Sequence, residues 1–107
     1  MPHYLVQASY TADALAALAK NPQNRIDTVA EAAAKQGGRL EAGYFAFGDY
    51  DVVCIVEMPD NVSAAGLAIG SACKGHIRSI KTTPLLTSEE AVEAMQVAAS
   101  VGIQPPG

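Results

Sequence analysis

Tyr44-Phe45-Ala46-Phe47-Gly48-Asp49-Tyr50-Asp51-Val52-Val53-Cys54-Ile55-Val56 reads as the centre of a β-hairpin, and the rest of the fold can be placed from it. Aromatic and β-branched residues flank Gly48 and Asp49, two residue types that tolerate positive φ, which is the pattern of strand, tight turn and strand. The first strand starts near Arg39 and the second runs out along Val52 to Val56.

Downstream, Pro59 stops the second strand and Asp60 is placed to cap a helix over 61–74. Val62, Ala65, Ile69 and Ala72 form its expected buried stripe, with Gly66, Gly70 and the alanines allowing close approach to a sheet. Gly75 ends it. A strand over 76–83 puts His76, Arg78, Ile80 and Thr82 on one face and Ile77, Ser79 and Lys81 on the other. Thr87-Ser88-Glu89-Glu90 matches a capping box and opens a helix over 88–99. Residues 1–101 read as a single domain and 102–107 as a loose tail.

Upstream, Gly37-Gly38 closes a helix whose apolar stripe is Ile26, Val29, Ala30 and Ala33. Asn21-Pro22 is expected to start it, Asn as cap and Pro at the first position. Before it, Thr11 caps a short helix carrying Leu15, Leu18 and Ala19. The first strand covers 3–9, with Tyr4, Val6, Ala8 and Tyr10 on one face and His3, Leu5, Gln7 and Ser9 on the other.

The order is β-α-β-β-α-β plus a C-terminal helix, an α+β chain of ferredoxin-like type. Right-handed crossovers give an antiparallel sheet of order 4-1-3-2 with helices on one face. Leu5, Val53, Ile55 and Ile80 are assigned to the uncovered face. A second copy would cover them, so a homodimer with two sheets face to face is expected.

Composition limits the partners. The 107 residues carry 7 basic and 11 acidic side chains, net −4, with no block of either sign. Clustered Lys and Arg would be needed to hold a nucleic acid or an anionic membrane, so neither is expected as a partner. A chain of this length should bury roughly two-thirds of its unfolded surface. No export signal is visible at Met1, which points to the cytoplasm. Cys54 and Cys73 read as reduced core thiols, with a chance pairing left open, and no His, Cys or carboxylate spacing suggests a metal or cofactor site.

Asn21-Pro22, Gly37-Gly38-Arg39-Leu40, Gly48-Asp49-Tyr50-Asp51-Val52-Val53, Glu57-Met58-Pro59-Asp60, Gly75-His76-Ile77-Arg78 and Thr87-Ser88-Glu89-Glu90 together resemble the GYD-domain family over nearly the whole chain. The resemblance implies a dimeric α+β barrel. The family brings no established catalytic residues, so none is carried over.

The strand ends supply candidates. On the assigned uncovered face, Gln7, His76 and Arg78 should be neighbours, with Asp51 close by. His76 could act as a general acid or base oriented by Asp51 or Asp49, with Arg78 holding an anion. The plainer reading is that His76 satisfies a nearby backbone group and Arg78 pairs with an acidic residue across the dimer. Tyr50 reads either as a catalytic phenol or as a ring packed on the sheet edge. Three functions fit: a homodimeric small-molecule binding or interaction module, a cofactor-independent oxygenase or isomerase using the same pocket, and a purely structural assembly domain.

Overall fold

Alternation along the first strand decides where the core lies. In the computed structural model, which describes Met1–Gly107, β1 runs over His3–Tyr10 and buries Tyr4, Ala8 and Tyr10. It is followed by α1 (Ala12–Lys20), α2 (Arg25–Lys35), β2 (Arg39–Phe45), β3 (Val52–Glu57), α3 (Asn61–Ala72), β4 (Ile77–Leu85) and α4 (Ser88–Ala98). The strands form one antiparallel sheet of order β2-β3-β1-β4, the order expected from the sequence. Val52, Cys54 and Val56 of β3 point to the same side as Tyr4 and Tyr10, where they meet Ala33 of α2 and Ala64 and Leu67 of α3. Met58, fully buried just past β3, closes the core at one end.

The hairpin is where the sequence placed it, but its turn is different. Neither Gly48 nor Asp49 has positive φ. Residues 46–51 form a six-residue loop, closed by the Ala46 N–H donating to the Asp51 carbonyl at 2.7 Å. Long-range bonds from β1 hold it: Ser9 Oγ donates to the Asp49 carbonyl at 2.7 Å, and the Tyr10 N–H donates to Asp51 Oδ2 at 2.9 Å. With those anchors the loop does not need a tight primed turn.

Helix ends follow side-chain capping. Asn21 closes α1, its N–H donating to the Ala17 carbonyl, and Asn24, not Asn21, caps α2 by accepting from the Ile26 N–H at 3.0 Å. Pro22 therefore lies in the link between the helices. Gly37, at φ +80°, ends α2 in the left-handed conformation glycine takes without steric cost. Asp60 and Thr87 each form a reciprocal capping box, with Ser63 and Glu90 respectively.

These caps respond to acid. The backbone N–H of Ser63, aided by its hydroxyl, holds the Asp60 carboxyl below the ordinary carboxylate range, and the backbone N–H of Thr87 does the same for Glu90. A folded pKa below the unfolded one means that the stabilisation is present above the unfolded value and is lost as pH falls through the folded value. Far-UV circular dichroism should therefore show helix loss beginning below about pH 4. In D60A and E90A variants that acid-dependent component should be reduced.

Two elements depart from expectation. In α3 the buried residues are Ala64 and Leu67, while Val62 and Ile69 are 82% and 67% exposed. A Cβ at Gly66 or Gly70 would meet nothing, so those glycines do not serve close packing on the sheet. Almost every residue of this helix is small or apolar, and such a helix has no dominant stripe to fix its rotation. In β4, Ile80 pairs with Ala8 and Thr82 with Val6, which turns Ile80 toward the helices instead of the uncovered face. A register shift between Ser9 and Tyr10 inserts Arg78 as an extra residue between Ser79 and Ile77. Cys54 is buried as expected, whereas Cys73 caps the exposed end of α3 and both thiols are free.

Thr82 Oγ1 is buried without a hydrogen-bond partner. An unsatisfied buried hydroxyl costs stability, and valine has nearly the same shape. Thr82→Val should raise stability by about 1 kcal/mol, read as a shift in the urea midpoint at unchanged slope.

The chain is extended for its size. Its radius of gyration is 17.0 Å, against about 13 Å for a compact chain of this length. Much of the excess is α4, which projects from the sheet with Val92 and Met95 more than half exposed. The accessible surface is 7254 Å² where a compact monomer of 11.1 kDa would show about 5,700 Å². Folding thus buries about 55% of the unfolded surface, short of the two-thirds expected from length; the open sheet face, the projecting helix and the exposed residues 99–107 after it all add to the difference.

Candidate functional site

The sheet has two sides of different character. On the uncovered side, β1 contributes His3, Leu5 and Gln7, and β3 contributes Val53, Ile55 and Glu57 directly opposite them. β4 adds Lys81 beside Gln7 and Thr83 beside Leu5, and β2 adds Tyr44 beside Val53. Leu5, Val53 and Ile55 make a half-buried apolar centre, and Tyr44 is 71% exposed at its margin. At one end of this face His3 bridges two carboxylates, Nδ1 to Glu41 Oε2 at 3.0 Å and Nε2 to Glu57 Oε1 at 3.4 Å, while Arg39 pairs with the other oxygen of Glu57. Partly exposed pairs of this kind contribute little stability singly. They do fix a patterned charge at the rim of an apolar surface.

On the helix side a cavity of about 480 Å³ opens between α2 and α3. Its floor is Val6, Ala8, Val52 and Cys54, and Leu67 forms part of the α3 wall. Tyr10, Arg25 and His76 line it too. The Tyr10 and His76 rings stack with centroids 6.3 Å apart and planes inclined by 26°. Burial pushes the Tyr10 phenol above its ordinary pKa. The Arg25 guanidinium lies near it and pulls the other way, although no well-formed hydrogen bond joins the two. Burial likewise raises the Cys54 thiol, which disfavours a reactive thiolate there.

The residues singled out from the sequence are dispersed. Gln7 lies on the uncovered face between Val53 and Lys81. His76 lines the helix-side cavity, and its carbonyl accepts from the Thr11 N–H at 3.0 Å. Arg78 is exposed at the β4 bulge and forms no ion pair. Asp51 uses its carboxylate on the Tyr10 backbone N–H, with no hydrogen bond to His76, and Tyr50 is half-buried outside the cavity. The sequence reading missed the roles of Tyr10 and Arg25, and also the charged group of His3, Arg39, Glu41 and Glu57. The pairing of strands 1, 3 and 2 carried the signal for that group, since it aligns His3, Glu57 and Arg39 in one row.

No group of three or more His, Cys, Asp or Glu side chains is arranged to hold a metal ion, and no helix is long and apolar enough to cross a membrane. The model of the GYD domain matches residues 4–95, from the second residue of β1 well into α4. The chain belongs to the GYD domain family. A relative in sequence is a protein of Thermus thermophilus named glutamine synthetase and cystathionine beta-lyase binding protein. It is 30% identical over 80 residues, spanning 75% of this chain and 84% of that protein. In fold, the GYD domain described here resembles the crystal structure of TTHA0845, also from Thermus thermophilus, with a TM-score of 0.54 at 17% identity, covering 82% of this chain and 96% of that one.

Proposed function

We propose that this GYD-domain chain is a homodimeric interaction module that binds another protein, with glutamine synthetase as the first partner to test. The observation that carries the reading is the surplus of surface. The chain exposes about 1,600 Å² more than a compact monomer of its mass, about twice what one partner contributes to a standard protein interface. One such patch suits a second copy and leaves area for a different partner.

In this reading the sheets of two copies meet through Leu5, Val53 and Ile55, giving the dimeric α+β barrel of a ferredoxin-like fold. A two-fold axis makes such a face self-complementary. The projecting α4 lays Val92 and Met95 against the other copy. Gln7 and Lys81 then face the space between the sheets, where a small ligand would have to bind if one does. What remains outside is the exposed α3 stripe of Val62, Ala65 and Ile69, a helix face suited to a protein groove. The name of the Thermus relative supports an enzyme as the partner.

Binding is tested by biolayer interferometry with immobilised glutamine synthetase from the source organism, and cystathionine β-lyase in parallel. Saturable binding to one of them with a dissociation constant of about 10 μM or tighter is expected, weakened at least roughly tenfold by Ile69→Glu. No binding to either enzyme at about 100 μM would overturn the enzyme-binding reading.

A further inference from the structure

The cavity between α2 and α3 has a chemistry unlike the rest of the chain. The protein is acidic, net −4, yet no Asp or Glu lines this space, while Arg25, Lys35 and His76 all do. Neither Arg25 nor Lys35 is in an ion pair, and the one recorded side-chain partner of Arg25 is the neutral Gln23 amide oxygen at 3.3 Å. Most of the lining is apolar. At about 480 Å³ it falls within the range of sites that enclose a small organic molecule.

Polar groups stand at both ends, Lys35 and Gln36 where α2 finishes and a larger set where it begins. α2 starts with Arg25, and Tyr10 and His76 stack beside it at the last residue of β1. The phenol stays protonated at neutral pH and can donate a hydrogen bond, as can the guanidinium, which has no acceptor character of its own. From that end the floor of Val6, Ala8, Val52 and Cys54 leads away without a charged group. Asp51 sits outside the lining and accepts from the Tyr10 backbone N–H, and Asp27 and Glu31 of α2 are exposed and also outside it.

We propose that this cavity binds an amphipathic monocarboxylate, its apolar chain over the floor of Val6, Ala8, Val52 and Cys54 and its carboxylate held by Arg25 and Tyr10 beside His76. Arginine presents two parallel N–H donors that match the two oxygens of a carboxylate. The apolar floor disfavours a sugar or nucleotide, whose hydroxyl and phosphate groups would be left unpaired there. A cationic ligand would meet Arg25 and Lys35 with no acid in the lining to compensate. The site lies on the helix side of one chain and does not depend on a second copy.

Isothermal titration of the full chain with hexanoate, octanoate and decanoate tests the apolar part, each below its aggregation threshold. Affinity should rise roughly fourfold per added CH2. Decanol and decyltrimethylammonium, of equal chain length, test the head group, and both should bind at least about tenfold more weakly than decanoate. Arg25→Gln should weaken decanoate at least about tenfold while leaving decanol within about twofold. Gly66→Leu is the filling variant: Gly66 lines the cavity and a Cβ there meets no other atom, so a leucine has room at the cavity wall and a helix glycine is removed. It should melt at or above the wild-type temperature and lose decanoate binding. No decanoate binding at about 5 mM, equal affinity for the three head groups, or undiminished binding to the Gly66→Leu variant would each overturn the proposal.

Discussion

Gly38→Ala should destabilise the chain by roughly 3 kcal/mol, lowering the melting temperature by roughly 15 °C. A Cβ at this position would overlap the carbonyl oxygen of Glu57 and lie 2.6 Å from Met58 Sδ and 3.3 Å from Met58 Cα. Two of those three atoms belong to backbone, so a side-chain rotation cannot relieve the overlap. Met58 is fully buried and Glu57 ends β3, and the strain would pass directly into the core. Gly66→Ala is the matched control. Its Cβ meets open space within a helix, so that variant should gain about 0.5–1 kcal/mol. Thermal melts of both, followed by circular dichroism, separate a glycine required by close approach from one that is not.

Ile55→Glu should break the proposed dimer without unfolding the chain. Ile55 pairs with Leu5 and stands at the centre of the uncovered sheet face, pointing away from the buried Cys54 and Val56 on either side of it. In an isolated chain a glutamate there reaches water at little cost. Between two sheets it would be desolvated against Leu5 and Val53, with the like charge of Glu57 two residues along the same strand. The dimer dissociation constant should rise at least about 100-fold while the circular dichroism spectrum is retained. Size-exclusion chromatography over a concentration series reads both species. An unchanged dissociation constant would place the interface elsewhere, and a lost spectrum would show that Ile55 supports the fold itself.

What the sequence made legible was governed by local pattern. The strands follow from alternation and their order from right-handed crossovers through the helices, and the Asp60 cap and the Thr87 capping box follow from single side chains. Three features depended on distant residues. The 46–51 loop is closed by Ser9 and the Tyr10 backbone, roughly 40 positions away in the chain, so Gly48-Asp49 alone suggested a tighter turn than the one formed. The inserted Arg78 changes which side of β4 each residue takes, and alternation cannot reveal an insertion that only the pairing with β1 defines. The rotation of α3 is set by the sheet and the Asp60 cap because its own sequence is apolar on nearly every side.

The candidate sites were less legible for the same reasons. Placing the start of α2 at Asn21-Pro22 instead of Asn24 hid the position of Arg25 at the helix entrance beside Tyr10. Assigning Ile80 to the uncovered face brought His76 and Arg78 toward Gln7, whereas Ile80 pairs with Ala8 and His76, just ahead of β4, stacks on Tyr10 at the helix-side cavity. Leu5, Val53 and Ile55 were assigned to the uncovered face correctly, because β1 and β3 pair through regular, unbulged register.

Sedimentation equilibrium of the wild-type chain from about 1 to 100 μM is the most direct test of the central claim, that the open sheet face is covered by a second copy. A single species of about 22 kDa, twice the 11.1 kDa chain, is expected across that range. A stable 11 kDa monomer throughout would contradict it.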